Sequence, residues 1–370
     1  MSLNEYREQL LDRLINFLWR QWSALGLLGE SGGDEDWVID PESLLVFSLE
    51  IARYEPRLFD EILAWLRVNG QWLDTPRLRN IIEARGASTA RLVGGVLQYL
   101  LNNGGDPRKW QNLVNFCGKS APQKPAEGVK RSIPTAIISP TKAFSKSEEA
   151  LFKDKTGHPH PMVSKEKADP AFLKFGFNRP ALKIQKAGKD VPVNAKTNLR
   201  FLLRALFGVG GKSEIVLYLL THDGARPKEV ADSIGLFWLG VHQTLLDLSK
   251  SGLVLIRRKG KKVDYWLSHK KWWEFISPAA SNESRPKWLD WAAIYSAFSN
   301  LWQTLDALAE SDASEYMKSS RLQDSLELVS GEFARAGFDV GTPPAPGLPP
   351  ELHQKMSLAF LATILGDSHE

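Results

Sequence analysis

The sequence predicts a mainly α-helical, multidomain chain: a helical N-terminal domain, a central winged helix-turn-helix with a β-hairpin wing, and a helical C-terminal domain. Apolar residues recur at three- and four-residue intervals over both ends of the chain, the signature of amphipathic helices. A capping residue followed by proline recurs as well, at Asp40-Pro41, Thr75-Pro76 and Asp106-Pro107, with Glu55-Pro56 a weaker instance; this is how helices begin. Two β-prone runs flank a charged tip in LVLIRRKGKKVDYWLS, which predicts one hairpin. With 370 residues, 43% of them hydrophobic, the chain is long enough for two or three domains and a sizeable core.

Residues 1–118 form the expected helical domain. Leu10, Leu11, Leu14, Ile15, Leu18 and Trp22 give the first helix one apolar side, and Gly29 to Asp36 break it. In RLFDEILAWLRVNG the inward stripe is Leu58, Phe59, Ile62, Leu63 and Leu66. Trp19, Trp22, Trp65 and Trp72 belong to the core, since rings at helical spacing pack. Arg77, Arg79, Arg85 and Arg91 make either a basic face or an ordinary solvated one.

Residues 119–197 change character. Pro122, Pro125, Pro134, Pro140, Pro159, Pro161, Pro170, Pro180 and Pro192 punctuate a lysine-rich stretch, a basic linker or extended arm. From Ala171 to Ile184 it carries Phe172, Leu173, Phe175, Phe177 and Leu182, enough to pack against a folded domain. His158-Pro-His160 lacks the further ligands a metal site needs, and its prolines explain a turn on their own.

A third region spans 198–277. Leu199, Leu202, Leu203 and Leu206 form a supporting helix. The glycine run GVGGKSE after it lacks both the earlier glycine and the preceding strand of a phosphate-binding loop, so it is a turn between helices. Next comes SEIVLYLLTHDG, with Ile215, Val216, Leu219 and Leu220 on one face and a turn at Asp223-Gly224. RPKEVADSIGL begins on Pro227, pairs Val230 with Ile234 and stops at Gly235. In FWLGVHQTLLDLSKSG the inward residues are Val241, Leu245 and Leu248, so the opposite face points outward. The hairpin about Lys259-Gly260-Lys261 follows. HKKWWEFI then closes the module, and Tyr265, Trp266, Trp272 and Trp273 cover its core.

Over residues 213–268 this order resembles the winged helix-turn-helix regulators of the arsenical-repressor and multiple-antibiotic-resistance-repressor superfamily. The resemblance implies a third helix in the major groove of double-stranded DNA and a wing on the minor groove or phosphates. By position, it assigns Trp238, Leu239, Gly240, His242 and Gln243 to the groove. It assigns Arg257, Arg258, Lys259, Lys261 and Lys262 to the wing, with Arg226 and Lys228 near the DNA backbone. The groove positions depart from the superfamily: Phe237, Trp238, Leu239 and Leu246 are apolar, Asp247 is acidic, and only His242 and Gln243 present groups that read bases. The third helix therefore either reads DNA or docks on a protein partner.

Residues 287–370 are helical again. Trp288, Trp291, Ile294, Tyr295, Phe298, Leu301, Trp302 and Leu305 form a broad stripe, to be covered by the helix after it, by the N-terminal bundle or by a second subunit. A homodimer is the expected use. A proline-rich GTPPAPGLPP leads to a last helix, Glu351 to Leu365.

Charge divides the same way. Net charge is −4 over residues 1–118, +9 over 119–198, +7 over 199–288 and −8 over 289–370. A basic centre between acidic flanks fits a DNA-binding core between regulatory domains, or acidic domains folding back on it. The single Cys117 excludes a disulfide within the chain, and no segment looks like a signal peptide or membrane span. The expectation is a cytoplasmic, non-enzymatic transcription regulator without metal or cofactor. Its rival is an interaction adaptor, such as an antitoxin or a defence-system partner.

Overall fold

The computed structural model describes residues 2–27, 36–119, 148–182, 188–260, 262–276, 286–338, 344–345 and 348–365. Side-chain caps start its first helices. Ser2 and Glu5 form a reciprocal capping box at α1 (Leu3–Ala24), and Asp40 accepts from the Ser43 N–H at α2 (Pro41–Ile51). A helix α3 (Pro56–Asn69) begins at Glu55 without a side-chain cap. At α4 (Thr75–Arg85) the cap is Asp74 rather than Thr75, which is already helical. Two further helices, α5 (Ala87–Asn102) and α6 (Pro107–Lys119), complete the bundle. Trp22 and Trp65 lie fully buried edge to face, their ring centroids 5.1 Å apart. Each has its indole N–H satisfied, by Ser48 Oγ and by the Leu25 carbonyl respectively.

Of the two readings of Arg77, Arg79, Arg85 and Arg91, a shared basic face is not what they form. Arg77 is buried against Asp40 and Glu42, Arg85 bonds Glu50, and Arg91 donates to the Phe175 and Gly176 carbonyls. Arg79 lies over the Phe116 ring.

Much of the expected linker is folded. Residues 120–147, with four of its prolines, lie outside the described residues, as does Ile184. From residue 148 the chain lies as an arm on the bundle. Strand β1 (Glu149–Ala150) pairs in parallel with β2 (Phe177–Asn178), on either side of a single turn, α7 (Pro170–Leu173). Phe152, Phe172, Phe175 and Phe177 are buried in the bundle's core. Two glycines of α5 admit them: a Cβ on Gly94 would overlap the Phe175 ring, and one on Gly95 would sit 3.0 Å from Phe172. Proline and lysine give the segment a linker's composition, but its phenylalanines bury enough apolar surface to hold it.

After Asn198 the chain builds a second apolar core from α8 (Leu199–Phe207), α9 (Gly211–Thr221), α10 (Pro227–Ile234), α11 (Trp238–Lys250), an antiparallel hairpin of β3 (Leu255–Lys259) and β4 (Lys262–Trp266), and α12 (His269–Ile276). Gly208 and Gly210, both at positive φ, form the turn between α8 and α9. One side of α9 was expected to be buried, yet every residue from Ser213 to Leu220 is, because α8 covers the side that α10 and α11 leave open.

The C-terminal helices are α13 (Trp291–Ala309), α14 (Glu315–Arg335) and α15 (Pro350–Leu365). They share the first core rather than forming a third: α13 packs on α14, α1 and α2, and α15 packs on α1. The stripe from Trp291 to Leu305 is thereby covered within the chain, which removes the reason to expect a second subunit there. Trp288, read as part of that stripe, precedes the helix and packs on Tyr218 and His222 of the second core. Among the described residues, no helix is long and apolar enough to cross a membrane.

Candidate nucleic-acid interface

A closed set of buried charges joins α8 and α9 to the bundle. Arg204, wholly buried, donates to Glu42 Oε1 at 2.7 Å, to Glu214 Oε1 at 2.7 Å and to the Trp72 carbonyl at 2.7 Å. Arg77 reaches Glu42 at 2.8 Å and also Asp40, while Arg200 lies 3.3 Å from Asp40 and 3.2 Å from Glu214. Three guanidiniums thus face three carboxylates. Burial by itself raises the Asp40 and Glu214 pKa values, but the arginines outweigh it and hold both carboxyls below the ordinary range. The same charges raise Arg204 despite its burial. The edge segment 37–39 adds a second tie: Val38 belongs to the second core, and its carbonyl accepts from the Trp291 indole at 2.9 Å.

Opposite this anchor lies an outer surface built from α10, α11 and the hairpin. Ala225, between α9 and α10, exchanges two backbone hydrogen bonds of 2.9 Å with Tyr265 of β4. This bridge, one residue long and so without a sequence pattern, fixes the hairpin against the helices. The buried stripe of α11 is Val241, Leu245 and Leu248, as its periodicity predicts. Its first turn faces outward: Phe237, Trp238 and Leu239 are 74%, 51% and 55% exposed.

Each predicted contact residue has a definite setting. His242 is half-buried with its ring 5.9 Å from that of Trp238, and the Gln243 amide donates to Asp247 Oδ1 at 3.2 Å. Asp247 also pairs with Lys250 at 3.1 Å, which keeps its carboxyl ionised to lower pH than usual. Arg226 is paired with Glu229 at 2.5 Å. Lys228 is exposed and, among the described residues, has no ion pair.

On the hairpin, Arg257 stands opposite Asp264 at a loose 3.6 Å. Arg258 faces Val263 across the ladder, and Lys262 faces Lys259. Arg258 and Lys262 are exposed, and neither has an ion pair among the described residues. Gly260, with φ of 62°, turns the tip. Lys261 lies outside the described residues.

The predicted residues therefore divide. Arg258, Lys262, Lys228 and Trp238 are presented outward, whereas Gln243, Arg226 and Arg257 already have intramolecular partners. Sequence reading missed the buried charge network, because Arg77, Arg200 and Arg204 look like surface cations until the fold brings carboxylates to them. Among the described residues, no group of three or more His, Cys, Asp or Glu could hold a metal ion; His158 bonds Thr156 instead. Compared with protein-family models, curated proteins and solved structures, the chain matches none.

Proposed function

We propose that the protein is a non-enzymatic, DNA-binding regulator whose residues 211–268 act as a winged helix-turn-helix. In this reading α11 enters the major groove, the β3–β4 hairpin is the wing, and Arg258, Lys262 and Lys228 neutralise phosphates. The observation that carries it is the hairpin: Arg258 and Lys262 are exposed and, among the described residues, have no ion pair, and they stand beside an uncovered helix face. A helix–bridge–helix–helix–hairpin order, with the Ala225 bridge supplying the short first strand, also supports it. Since Gln243 is held by Asp247 and the leading turn of α11 is apolar, affinity comes mainly from phosphates and shows little base preference.

Titration of the full chain against duplex DNA at about 50 and 200 mM salt tests this. The affinity should fall with a log–log slope of about −0.9 per phosphate neutralised. Changing Arg257, Arg258, Lys259, Lys261 and Lys262 together to alanine should abolish the shift, and unchanged binding refutes the mechanism. The exposed start of α11 also favours a second reading, an adaptor that docks protein there. That reading requires Trp238→Ala with Leu239→Ala to release a copurifying partner from a chain that ignores DNA.

A further inference from the structure

The outer surface of α11 opens with three consecutive exposed apolar residues, Phe237, Trp238 and Leu239, followed by Gly240. Trp238 rests beside His242, their ring centroids 5.9 Å apart, and all three side chains stay more than half exposed. The residue before the helix, Phe237, makes no side-chain cap, whereas α1, α2, α4, α13 and α14 all start on a Ser or Asp that does. A Cβ on Gly240 would meet no atom within 4 Å, and its backbone lies at ordinary negative φ. Neither packing nor conformation therefore calls for glycine there. A glycine in an exposed helical turn weakens the helix and leaves the backbone open to close approach by a ligand. The module bearing this turn presents the exposed cations Lys228, Arg258 and Lys262. Such a surface is complementary to a polyanion that also offers flat apolar faces.

We propose that the first turn of α11 stacks on unpaired bases, so that the protein prefers DNA carrying a gap, junction or frayed end over continuous duplex. This rests on the DNA-binding reading above and names the DNA structure it favours. Base faces in a continuous duplex are covered by their neighbours, and only edges are offered in the groove. Apolar side chains cannot hydrogen-bond to those edges and find there only the thymine methyl, but aromatic rings stack on any exposed base regardless of sequence, and apolar wedges enter between unstacked steps. Trp238, its ring leaning on His242, is the stacking platform; Phe237 extends it, and Gly240 lets the sugar-phosphate backbone come close. The hairpin cations hold the flanking duplex.

The test compares binding of the full chain to a blunt duplex and to the same duplex with a short single-stranded gap, at low salt. The gapped DNA should bind at least about tenfold tighter, the scale of one base stacked on a ring. Changing Phe237 and Trp238 together to alanine should erase that preference, bringing the affinity for the gapped DNA down to the variant's own affinity for the blunt duplex. Both side chains are exposed, and an unchanged thermal melt verifies the fold. Gly240→Ala should raise thermal stability yet weaken binding to gapped DNA. Equal affinity for the two DNAs, or a preference that survives the double substitution, overturns the inference and leaves the duplex-binding reading standing. Failure to bind either DNA overturns both.

Discussion

Replacing Arg204 with methionine should be among the most damaging single changes in this protein. The guanidinium is fully buried and makes bonds of 2.7 Å to Glu42, Glu214 and the Trp72 carbonyl. Without it Glu42 keeps Arg77 and the Asp74 N–H, at 2.8 and 2.7 Å, and Glu214 keeps, among the described residues, only Arg200, at 3.2 Å. The cluster passes from three cations facing three anions to two facing three, leaving one excess negative charge in the interior. Breaking a buried ion pair by removing one partner costs about 3–5 kcal/mol, mostly the desolvation of the group left behind. Methionine fills similar volume, so a cavity contributes little to that figure.

Urea unfolding of the native chain and of Arg204→Met at neutral pH measures the loss. Adding Glu42→Gln to Arg204→Met restores the charge balance, so the double variant should be more stable than the two single losses added, by about 1–3 kcal/mol. Because the network ties α8 and α9 to α2 and α4, amide exchange in α8 should quicken in Arg204→Met more than exchange in α5. A loss below about 1 kcal/mol, or additive effects in the double variant, would refute the view that these charges hold the two cores together.

Other consequences follow from burial and charge. Burial lowers the His222 pKa from its ordinary 6.5, against the opposing pull of the Tyr218 carbonyl and Asp223. The neutral ring's contribution is then complete above pH 6.5 and is lost as pH falls, so the stability gap between the native protein and His222→Gln should narrow from pH 7 toward pH 5, as urea titrations would register. Asp40 and Glu214, held below their ordinary 3.8 and 4.5, have the same sign at lower pH: their contribution is full above those values and drains away beneath them. Asp60 and Asp74, raised chiefly by burial, act oppositely and soften the approach to that loss, so the steep acid limb should begin only below about pH 4.5. Gly94→Ala should push Phe175 off α5 and destabilise the chain by about 1–3 kcal/mol, with faster proteolysis within 148–182 as the specific sign; native proteolysis would show that the arm has room to spare. Cys117 is buried, which drives its thiol up to about 12, so a thiol reagent should label it only when urea unfolds the chain.

The outer surface of the candidate interface was legible residue by residue. Val241, Leu245 and Leu248 repeat at helical spacing, so the exposure of Trp238 and Leu239 follows from the pattern alone. The hairpin followed from the two β-prone runs about Gly260, though its register came only from the structure. Ion pairs did not follow: Gln243, Arg226 and Arg257 had the right residue types and positions, but their partners Asp247, Glu229 and Asp264 engage them through side-chain geometry. Phe172, Phe175 and Phe177 marked residues 171–184 as able to pack, but not their target: Phe175 and Phe172 dock against Gly94 and Gly95, some eighty residues earlier.

Local periodicity and capping by themselves determined that this chain is helical, where most helices start, which faces turn inward, and that one charged hairpin follows the third helix of the central module. These depend on residues within a few positions of each other, where backbone geometry fixes who meets whom. Only the tertiary structure decided what covers each face. It folded α13 onto α1 and α2 instead of a second subunit, set the phenylalanine arm on α5, and gathered Asp40, Glu42, Arg77, Arg200, Arg204 and Glu214 into one buried network. An apolar stripe fixes the need for a partner but not its identity, and a charge has no fixed sign of usefulness until its surroundings determine whether water or an opposite charge will face it.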